Sequence, residues 1–262
     1  MSSKPIGFFD SGVGGLSIWM AVQKLLPNEN TLYLADNKNA PYGDKSKEEI
    51  IFLSEKNTEF LLEHNVKLIV VACNTASTNA IPHLRQKYKV PFIRIQPAIK
   101  PAGLLSKTKK IGLLATAGTL KSEMLDRLKK QIPTQDIDII GRYGKGLVEI
   151  VENMEMESEE SKFLLTQYLK PMMEKEIDQL VLGCTHYPFL KKQMEAILGD
   201  KVNIIDPSPA IAKQVKRVLE SKGALAGSNN YPEYVFMANK SVKAMRKLLE
   251  NFPSAKILLE KF

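Results

Sequence analysis

The sequence contains very few residues that bind metals or form disulfides. It has two cysteines, Cys73 and Cys184, and three histidines among 262 residues. Two cysteines are too few for a disulfide-rich secreted scaffold. A zinc site needs about four ligands, and no stretch of the chain has the spacing of Cys and His that such sites use. We therefore expect no metal site.

Long apolar runs are also absent. No stretch approaches the roughly 18 consecutive apolar residues that a membrane helix needs, and the first residues lack the apolar core and cleavage site of a secretory signal. We therefore expect a cytoplasmic protein with no membrane partner. In that reducing compartment, the two cysteines serve packing or reactivity rather than a disulfide.

Acidic residues are fewer than basic ones: the chain has 29 Asp and Glu and 37 Lys and Arg, which gives a formal net charge of +8. The excess is concentrated in residues 207–262, where basic residues alternate with apolar ones at helical spacings. This pattern is typical of a solvated helix face. A basic nucleic-acid-binding module is an alternative, but the chain has one tryptophan and no recognised nucleic-acid motif. We expect no nucleic-acid partner.

Short apolar runs alternate with amphipathic segments, a pattern typical of βαβ units and a parallel sheet. The fold class predicted is therefore α/β. Residues 46–64 and 159–175 have helical periodicity, and Ser46 with Glu49 predicts a capping box. The predicted strands are residues 6–9, 31–35, 68–72, 111–115, 137–140, 179–183 and 202–205.

The chain resembles itself. Residues 6–11 align with 111–116, and residues 68–75 align with 179–185. This repeat predicts two similar, pseudo-symmetric α/β domains with mainly parallel sheets, although chance similarity between βα units is an alternative. Proline-rich stretches set the expected boundaries. The first domain is predicted to comprise residues 1–97 and 207–262, and the second residues 98–206.

Each cysteine follows a predicted strand. Ligands of open α/β sheets bind outside the carboxyl ends of the strands, so two facing strand ends would form one cleft with a thiol on each side. A helix that begins after Cys73 would favour its thiolate, and His186 could exchange a proton with Cys184. A cysteine after a buried strand is also an ordinary packing residue. The residues alone leave both interpretations open.

A glycine-rich loop, residues 10–15, follows the first strand. Such a loop presents backbone N–H groups to an anion, which could be a carboxylate or a phosphate. Asp10 begins the loop and could act as a base, hold a substrate ammonium or cap the turn. Further candidates are residues 41–43, Thr116 with Thr119, and the Glu-rich stretch 149–160.

Four motifs in order carry a resemblance to a known family: Asp-Ser-Gly-Val-Gly-Gly at 10–15, Pro-Tyr-Gly at 41–43, Cys-Asn-Thr-Ala at 73–76 and Gly-Cys-Thr-His at 183–186. The chain resembles the glutamate racemases of the aspartate/glutamate racemase superfamily. The resemblance implies two α/β domains with the active site in the cleft between them, glutamate as the substrate and no cofactor. It also implies a supply of D-glutamate for peptidoglycan, and we expect a homodimer.

The resemblance further implies roles for individual residues. Cys73 and Cys184 would be the pair of acid–base groups that racemisation requires, with Asp10, Glu152 and His186 as catalytic helpers. The implied substrate contacts are Asp10, Ser11, Pro41, Tyr42, Gly43, Asn74, Thr75, Thr116, Thr119, Thr185 and His186.

The match departs from the family pattern before the helper glutamate. Gly144-Lys145 stands where a Cys-Pro pair is common, so Glu149 is an alternative to Glu152. Aspartate racemase is the nearest alternative function. A non-catalytic amino-acid carrier with the same cleft is another, and it would bind glutamate without exchanging the α-proton.

Overall fold

The computed structural model describes residues 2–121, 128, 130, 132 and 136–262. The chain divides into two compact units, Met1–Ile95 with Ser208–Phe262, and Gln96–Pro207. The strands are β1 (Ile6–Asp10), β2 (Thr31–Ala35), β3 (Leu68–Val71), β4 (Phe92–Arg94), β5 (Lys110–Ala115), β6 (Asp138–Tyr143), β7 (Gln179–Gly183), β8 (Asn203–Ile205), β9 (Tyr234–Ala238) and β10 (Ala255–Leu259). The predicted α/β fold with parallel sheets is confirmed.

The described helices alternate with these strands along the chain. In the first unit they are α1 (Leu16–Leu25), α2 (Lys47–Glu63), α3 (Asn74–Asn79), α4 (Ile81–Lys87), α10 (Ser208–Ser221) and α11 (Lys243–Leu248); in the second they are α5 (Ile99–Leu105), α6 (Ala117–Leu120), α7 (Leu147–Glu152), α8 (Glu159–Met173) and α9 (Lys191–Leu198). Single 3₁₀ turns span Tyr42–Asp44, Tyr187–Leu190 and Gly199–Lys201. Within the described ranges, none of the helices has the length and apolarity to cross a membrane.

The capping box predicted for α2 is confirmed. The Glu49 N–H donates to Ser46 Oγ at 3.2 Å, and the Ser46 N–H donates to Glu49 Oε2 at 2.9 Å. These bonds satisfy two backbone donors that a helix start leaves unpaired. The second predicted helix forms as α8 and begins after Ser158, whose side chain accepts the N–H of Ser161 at 3.1 Å.

The two sheets repeat one strand order. The first sheet has the order β10-β9-β2-β1-β3-β4 and the second β6-β5-β7-β8. The run β2-β1-β3-β4 therefore corresponds strand for strand to β6-β5-β7-β8, and all these pairs are parallel. Cys73 follows β3 and Cys184 follows the corresponding strand β7. The similarity of the two halves is therefore present in the topology as well as in the sequence.

Strands β4, β9 and β10 were not predicted. β4 has only three residues and follows Pro91, so it is too short to produce a clear alternation. β9 and β10 lie in the basic segment 207–262, where the lysine spacing favoured helix. They extend the first sheet beyond β2, and β9 pairs with β2 from Thr31↔Tyr234 to Ala35↔Ala238.

The only tryptophan fixes the C-terminal segment to the first sheet. The ring of Trp19, in α1, meets Tyr234, Phe236 and Phe252 edge to face at centroid distances of 5.4, 4.7 and 4.9 Å. Its Nε1 donates to Thr31 Oγ1 at 2.9 Å, so the buried indole N–H is satisfied. Residues 208–262 are therefore an integral part of the first unit's core.

Candidate active site

Cys73 lies just beyond the carboxyl end of β3 and is buried. It occupies the N-cap of α3, where its sulfur accepts the N–H of Ala76 at 3.5 Å. Its thiol also lies within hydrogen-bond reach of Ser11 Oγ, at 3.8 Å. A backbone N–H directed at the sulfur stabilises negative charge there. The Ala76 N–H therefore suits the thiolate, and Ser11 Oγ can accept a hydrogen bond from the protonated thiol.

Asp10, the last residue of β1, is completely buried beside this thiol. One carboxylate oxygen accepts the N–H of Gly15 at 2.7 Å, and the other lies 3.5 Å from Ser11 Oγ, which can donate to it. Asp10 thus caps the glycine-rich turn, one of the roles considered for it. The same carboxylate begins a chain of polar contacts that runs through Ser11 to Cys73.

Gly15 allows the loop to approach the strands closely. A Cβ atom there would lie 2.7 Å from Tyr33 Oη and 2.8 Å from the backbone oxygen of Ala72. The Tyr33 hydroxyl in turn donates to the carbonyl of Gly12 at 2.9 Å. Any side chain at position 15 would therefore push the loop away from the strand end that leads to Cys73.

Asn74 has a buried polar side chain that no other described residue bonds to. The residue is 3% exposed, and within the described part of the chain neither Oδ1 nor Nδ2 has a hydrogen-bond partner. A buried unpaired amide is costly, so such a group in a stable fold calls for an explanation. A ligand that both accepts and donates hydrogen bonds would satisfy it. Thr75, also buried, follows it on α3.

The segment 41–43 forms the start of a 3₁₀ turn near Cys73. Tyr42 is buried in the same apolar cluster as Cys73, while Pro41 and Gly43 are half-buried. Burial raises the pKa of Tyr42 well above its ordinary value, and the negative charge of Asp36 raises it further. The Tyr42 hydroxyl therefore remains protonated across the physiological range.

In the second unit, Cys184 follows β7 and forms a chain with two further residues. Cys184 Sγ lies 3.7 Å from His186 Nδ1, and His186 Nε2 lies 2.7 Å from Glu152 Oε1. Cys184 and His186 are buried, whereas the Glu152 side chain is 20% exposed. The imidazole therefore connects a buried thiol to a partly solvated carboxylate, which is a route for a proton.

Glu152, rather than Glu149, contacts His186. Both stand on α7, but Glu149 is exposed on its first turn and Glu152 is at its end.

Gly144, upstream of this helix, leaves space for Tyr187, because a Cβ at 144 would lie 2.5 Å from Tyr187 Oη. That hydroxyl donates to the Gly144 carbonyl at 3.2 Å. The glycine at 144 is therefore matched to the tyrosine that follows His186.

Three threonines stand beside Cys184. Thr116 follows β5, the neighbour of β7, and its Oγ1 donates to Thr119 Oγ1 at 3.1 Å and accepts the Thr119 N–H at 3.3 Å. Thr116, Thr119 and Thr185 are all buried. Hydroxyl donors are thus concentrated at the carboxyl ends of β5 and β7, as expected for a ligand site of an open α/β sheet.

Each unit therefore gathers its own set of predicted site residues at the carboxyl ends of its strands. The first set is Asp10, Ser11, Pro41, Tyr42, Gly43, Cys73, Asn74 and Thr75; the second is Thr116, Thr119, Glu152, Cys184, Thr185 and His186. No group of three His, Cys, Asp or Glu side chains in the described ranges is arranged to hold a metal ion.

Several residues in contact with these sets were not predicted. Asp36 and Asn57 bond to the Tyr42 hydroxyl, and Asn239 bonds to Asp36. The Tyr187 hydroxyl donates to the Gly144 carbonyl. Asp36 directly follows β2, and Asp10 is the last residue of β1, so the place of Asp36 at a strand end was an available signal. Asn239 has no local signal, because its partner Asp36 is about 200 residues away along the chain.

The pKa of His186 is set by opposing effects. Burial lowers it, but the hydrogen bonds to Cys184 and Glu152 and the negative charges of these two groups outweigh burial, so the pKa lies well above its ordinary value. We therefore expect His186 to be an imidazolium at neutral pH. Because the folded-state pKa is raised, its contribution to the free energy of unfolding is fully present below about pH 6.5 and is lost as pH rises through the folded-state value.

Glu152→Gln tests this pairing. The substitution removes a charge that favours the imidazolium, so the NMR titration midpoint of His186 should move to lower pH. Glu149→Gln, on the same helix but exposed, is the matched control and should leave the midpoint unchanged. A larger shift from Glu149→Gln than from Glu152→Gln would contradict the assignment.

Comparison with known proteins identifies the family of the chain. Residues 17–215 match the model of the Asp/Glu/Hydantoin racemase family. A glutamate racemase of Herpetosiphon aurantiacus is 42% identical over 86% of this chain and 88% of that protein. A glutamate racemase of Clostridium perfringens is 41% identical over 95% of this chain and 98% of that protein.

Solved structures of glutamate racemases are also similar to this chain. The glutamate racemase isoform RacE1 of Bacillus anthracis has a TM-score of 0.89 and 31% identity, and the match covers 100% of this chain and 99% of that one. The glutamate racemase of Francisella tularensis, solved in complex with D-glutamate, has a TM-score of 0.83 and 30% identity, with coverage of 100% and 98%. The similarity therefore extends over the full length of both chains.

Proposed function

Since the chain belongs to the Asp/Glu/Hydantoin racemase family, we propose that it interconverts L- and D-glutamate by proton transfer at the α-carbon, with Cys73 and Cys184 as the acid–base pair and without a cofactor. The relatives compared above are glutamate racemases, and the glutamate racemase of Francisella tularensis was solved with D-glutamate bound. Glutamate is therefore the substrate favoured over aspartate.

Inversion of an amino acid needs two acid–base groups. One base removes the α-proton, which leaves a planar carbanion, and an acid then delivers a proton to the opposite face. Return of the proton by the first group would regenerate the starting enantiomer. In the forward direction one cysteine is the thiolate and the other the thiol, and the roles exchange in the reverse direction. Two cysteines that follow corresponding strands suit this exchange of roles.

The neighbours of each thiol support its role. Around Cys73, the Ala76 N–H stabilises the thiolate, and the contacts through Ser11 to Asp10 favour transfer of its proton. Around Cys184, the imidazolium of His186 stabilises the thiolate, and Glu152 holds that imidazolium. The thiols differ in their helpers, one a carboxylate reached through a hydroxyl and the other a histidine paired with a carboxylate.

The substrate contacts are proposed from buried polar groups. An α-hydrogen is weakly acidic, so the site must stabilise the charge that develops on the α-carboxylate. Asn74, whose amide has no partner among the described residues, could donate to a carboxylate oxygen and accept from an ammonium. The buried hydroxyls of Thr75, Thr116, Thr119 and Thr185 supply further polar groups, and Asp10 supplies an acceptor for the ammonium.

One observation carries the proposal: each unit places a buried thiol, joined to a carboxylate through one intermediate side chain, after the corresponding strand of a repeated sheet. A glutamate carrier would need the polar ligand groups but not two thiols with proton routes. A nucleic-acid-binding module would need neither.

Incubation with L-glutamate in deuterated water tests the function. We expect D-glutamate with deuterium at the α-carbon, formed by the purified protein without added cofactor, as measured by NMR and chiral chromatography. L-aspartate under the same conditions is the specificity control and should react far more slowly. Binding of glutamate without α-exchange would favour the carrier, and rapid exchange of aspartate alone would favour an aspartate racemase.

The cellular setting follows from this chemistry. We propose that the product D-glutamate is used in peptidoglycan synthesis and that the enzyme acts in the cytoplasm, where two buried thiols remain reduced. The two-domain boundaries and the homodimer stay predictions. Phe252 and Phe262, two aromatic residues of the C-terminal segment, contact the rings of Trp19 and Phe60 within the chain.

A further inference from the structure

A buried polar cluster surrounds Tyr42. Its hydroxyl donates to Asp36 Oδ2 at 2.5 Å and accepts from Asn57 Nδ2 at 3.1 Å. Asp36, which follows β2, is 2% exposed, and its Oδ1 accepts from Asn39 Nδ2 at 2.8 Å and from Asn239 Nδ2 at 2.5 Å. The carboxylate therefore accepts three hydrogen bonds, and the Tyr42 hydroxyl is bonded as both donor and acceptor.

These bonds limit which groups of residues 41–43 can donate a hydrogen bond to an anion. A tyrosine hydroxyl has one hydrogen, and in Tyr42 that hydrogen is directed at Asp36. Pro41 has no N–H, and Gly43 has no side chain. The donors that remain for a substrate carboxylate are the backbone N–H groups of Tyr42 and Gly43. The Tyr42 side chain thus serves to hold the backbone of its segment.

Asn239 is placed to stabilise this arrangement from a distant part of the chain. Strands β2 and β9 pair up to Ala35↔Ala238, so Asp36 and Asn239 are the next residues along the two strands. Besides donating to Asp36, Asn239 accepts the N–H of Lys38 through Oδ1 at 2.8 Å. It therefore bonds to two residues of the turn that leads from β2 to Pro41.

We propose that Asp36 and Asn239 are positioning residues for substrate binding: they fix the Tyr42 hydroxyl and so hold the backbone of residues 41–43 in place to receive a carboxylate of glutamate. This role rests on the proposed function and deepens it. The C-terminal segment 208–262 thereby takes part in the site through Asn239, although none of the predicted site residues lies in it.

The positioning role predicts that loss of these bonds weakens substrate binding more than it slows proton transfer. Tyr42 lies in the same buried cluster as Cys73, but its hydroxyl contacts Asp36 and Asn57 rather than the thiol. Loss of the anchoring bonds should therefore raise KM and change kcat less. A residue that only stabilised the fold would lower the amount of active enzyme and leave KM unchanged.

The experiment is a double-mutant cycle on the full-length enzyme with glutamate as substrate. Tyr42→Phe and Asn239→Ala are each expected to raise KM by roughly three- to tenfold, the range of one lost hydrogen bond, with kcat within about twofold. Because Asn239 acts through Asp36 on the Tyr42 hydroxyl, Asn239→Ala should add little in the Tyr42→Phe background. Asp36→Asn, similar in size, should raise KM as well.

The same unit supplies matched controls. The Tyr234 hydroxyl also donates once and accepts once, to the Pro27 carbonyl at 2.7 Å and from Gln23 Nε2 at 3.3 Å, but at the amino end of β9. Asn230, which precedes β9, donates through Nδ2 to the Asn28 carbonyl at 2.7 Å. Tyr234→Phe and Asn230→Ala should lower the melting temperature about as much as the test variants and leave KM unchanged.

Two results would overturn the positioning role: a KM for Asn239→Ala that is no higher than that of Asn230→Ala, or effects of Tyr42→Phe and Asn239→Ala on KM that multiply. Asn239 is half-buried at the end of a strand, so its truncation is compatible with folding, and the melting temperature of each variant checks this. If the wild-type enzyme does not racemise glutamate, the proposed function fails instead.

Discussion

Cys73→Ser and Cys184→Ser are each expected to lower kcat for glutamate racemisation by about 10²- to 10⁴-fold, the contribution of a positioned acid or base. A serine hydroxyl is a far weaker acid than a thiol, so it supplies almost no base at neutral pH. Both thiols are buried, and serine is close in size to cysteine, so the fold should be retained. Racemisation measured by chiral chromatography at saturating glutamate gives the loss.

Isotope exchange separates the two thiols. In deuterated water, each single variant keeps one base and should still exchange the α-proton of one enantiomer slowly. The two variants should differ in which enantiomer exchanges.

Ser77→Ala is the control for local damage near Cys73. The Ser77 hydroxyl donates to the Val71 carbonyl and accepts the Ile95 N–H, each at 2.9 Å. The substitution should lower the melting temperature and keep kcat. Racemisation by either cysteine variant at more than about a tenth of the wild-type rate would exclude the two-thiol mechanism.

The features found from sequence are those in which a short stretch contains its own signal. The repeated strands before Cys73 and Cys184, the Asp10 to Gly15 loop and the Ser46 capping box each lie within about ten residues. Since parallel strands bring their carboxyl ends to one edge, motifs that follow strands of one sheet must meet there. The order β2-β1-β3-β4 and its repeat then bring together the residues of each unit.

The features that escaped prediction depend on contacts between distant segments. Asn239 acts on Asp36 only because β9 pairs with β2, and no periodicity within residues 207–262 reveals that pairing. Similarly, the choice of Glu152 over Glu149 depends on which side of α7 meets His186, a matter of packing rather than of local spacing. Local patterns predict elements, whereas the partners of a single polar side chain are fixed by the assembled sheet.

A buried ion pair and its hydrogen bonds join four distant segments of the first unit. Lys67 Nζ lies 2.5 Å from Glu29 Oε2, and the two side chains are 5% and 3% exposed. Lys67 also donates to the carbonyls of Ser2 at 2.9 Å and Ala224 at 2.8 Å. The other Glu29 oxygen accepts the N–H of Ala226 at 2.8 Å. Each charge is thus compensated, but only while its partner is present.

Lys67→Met is therefore expected to lower the free energy of unfolding by about 3–5 kcal/mol, because it leaves the Glu29 carboxylate buried without its counter-charge. Urea unfolding measures this loss. Lys256→Met is the matched control, since the Lys256–Glu233 pair of the same unit has a distance of 3.0 Å but is more than half exposed, and its loss should not change stability measurably. The double variant Lys67→Met/Glu29→Leu removes both charges and should recover much of the loss, because well-packed apolar replacements of buried ion pairs are often neutral. If Lys67→Met behaves like Lys256→Met, or if the double variant is less stable than Lys67→Met alone, the stability of this region depends on packing rather than on charge compensation.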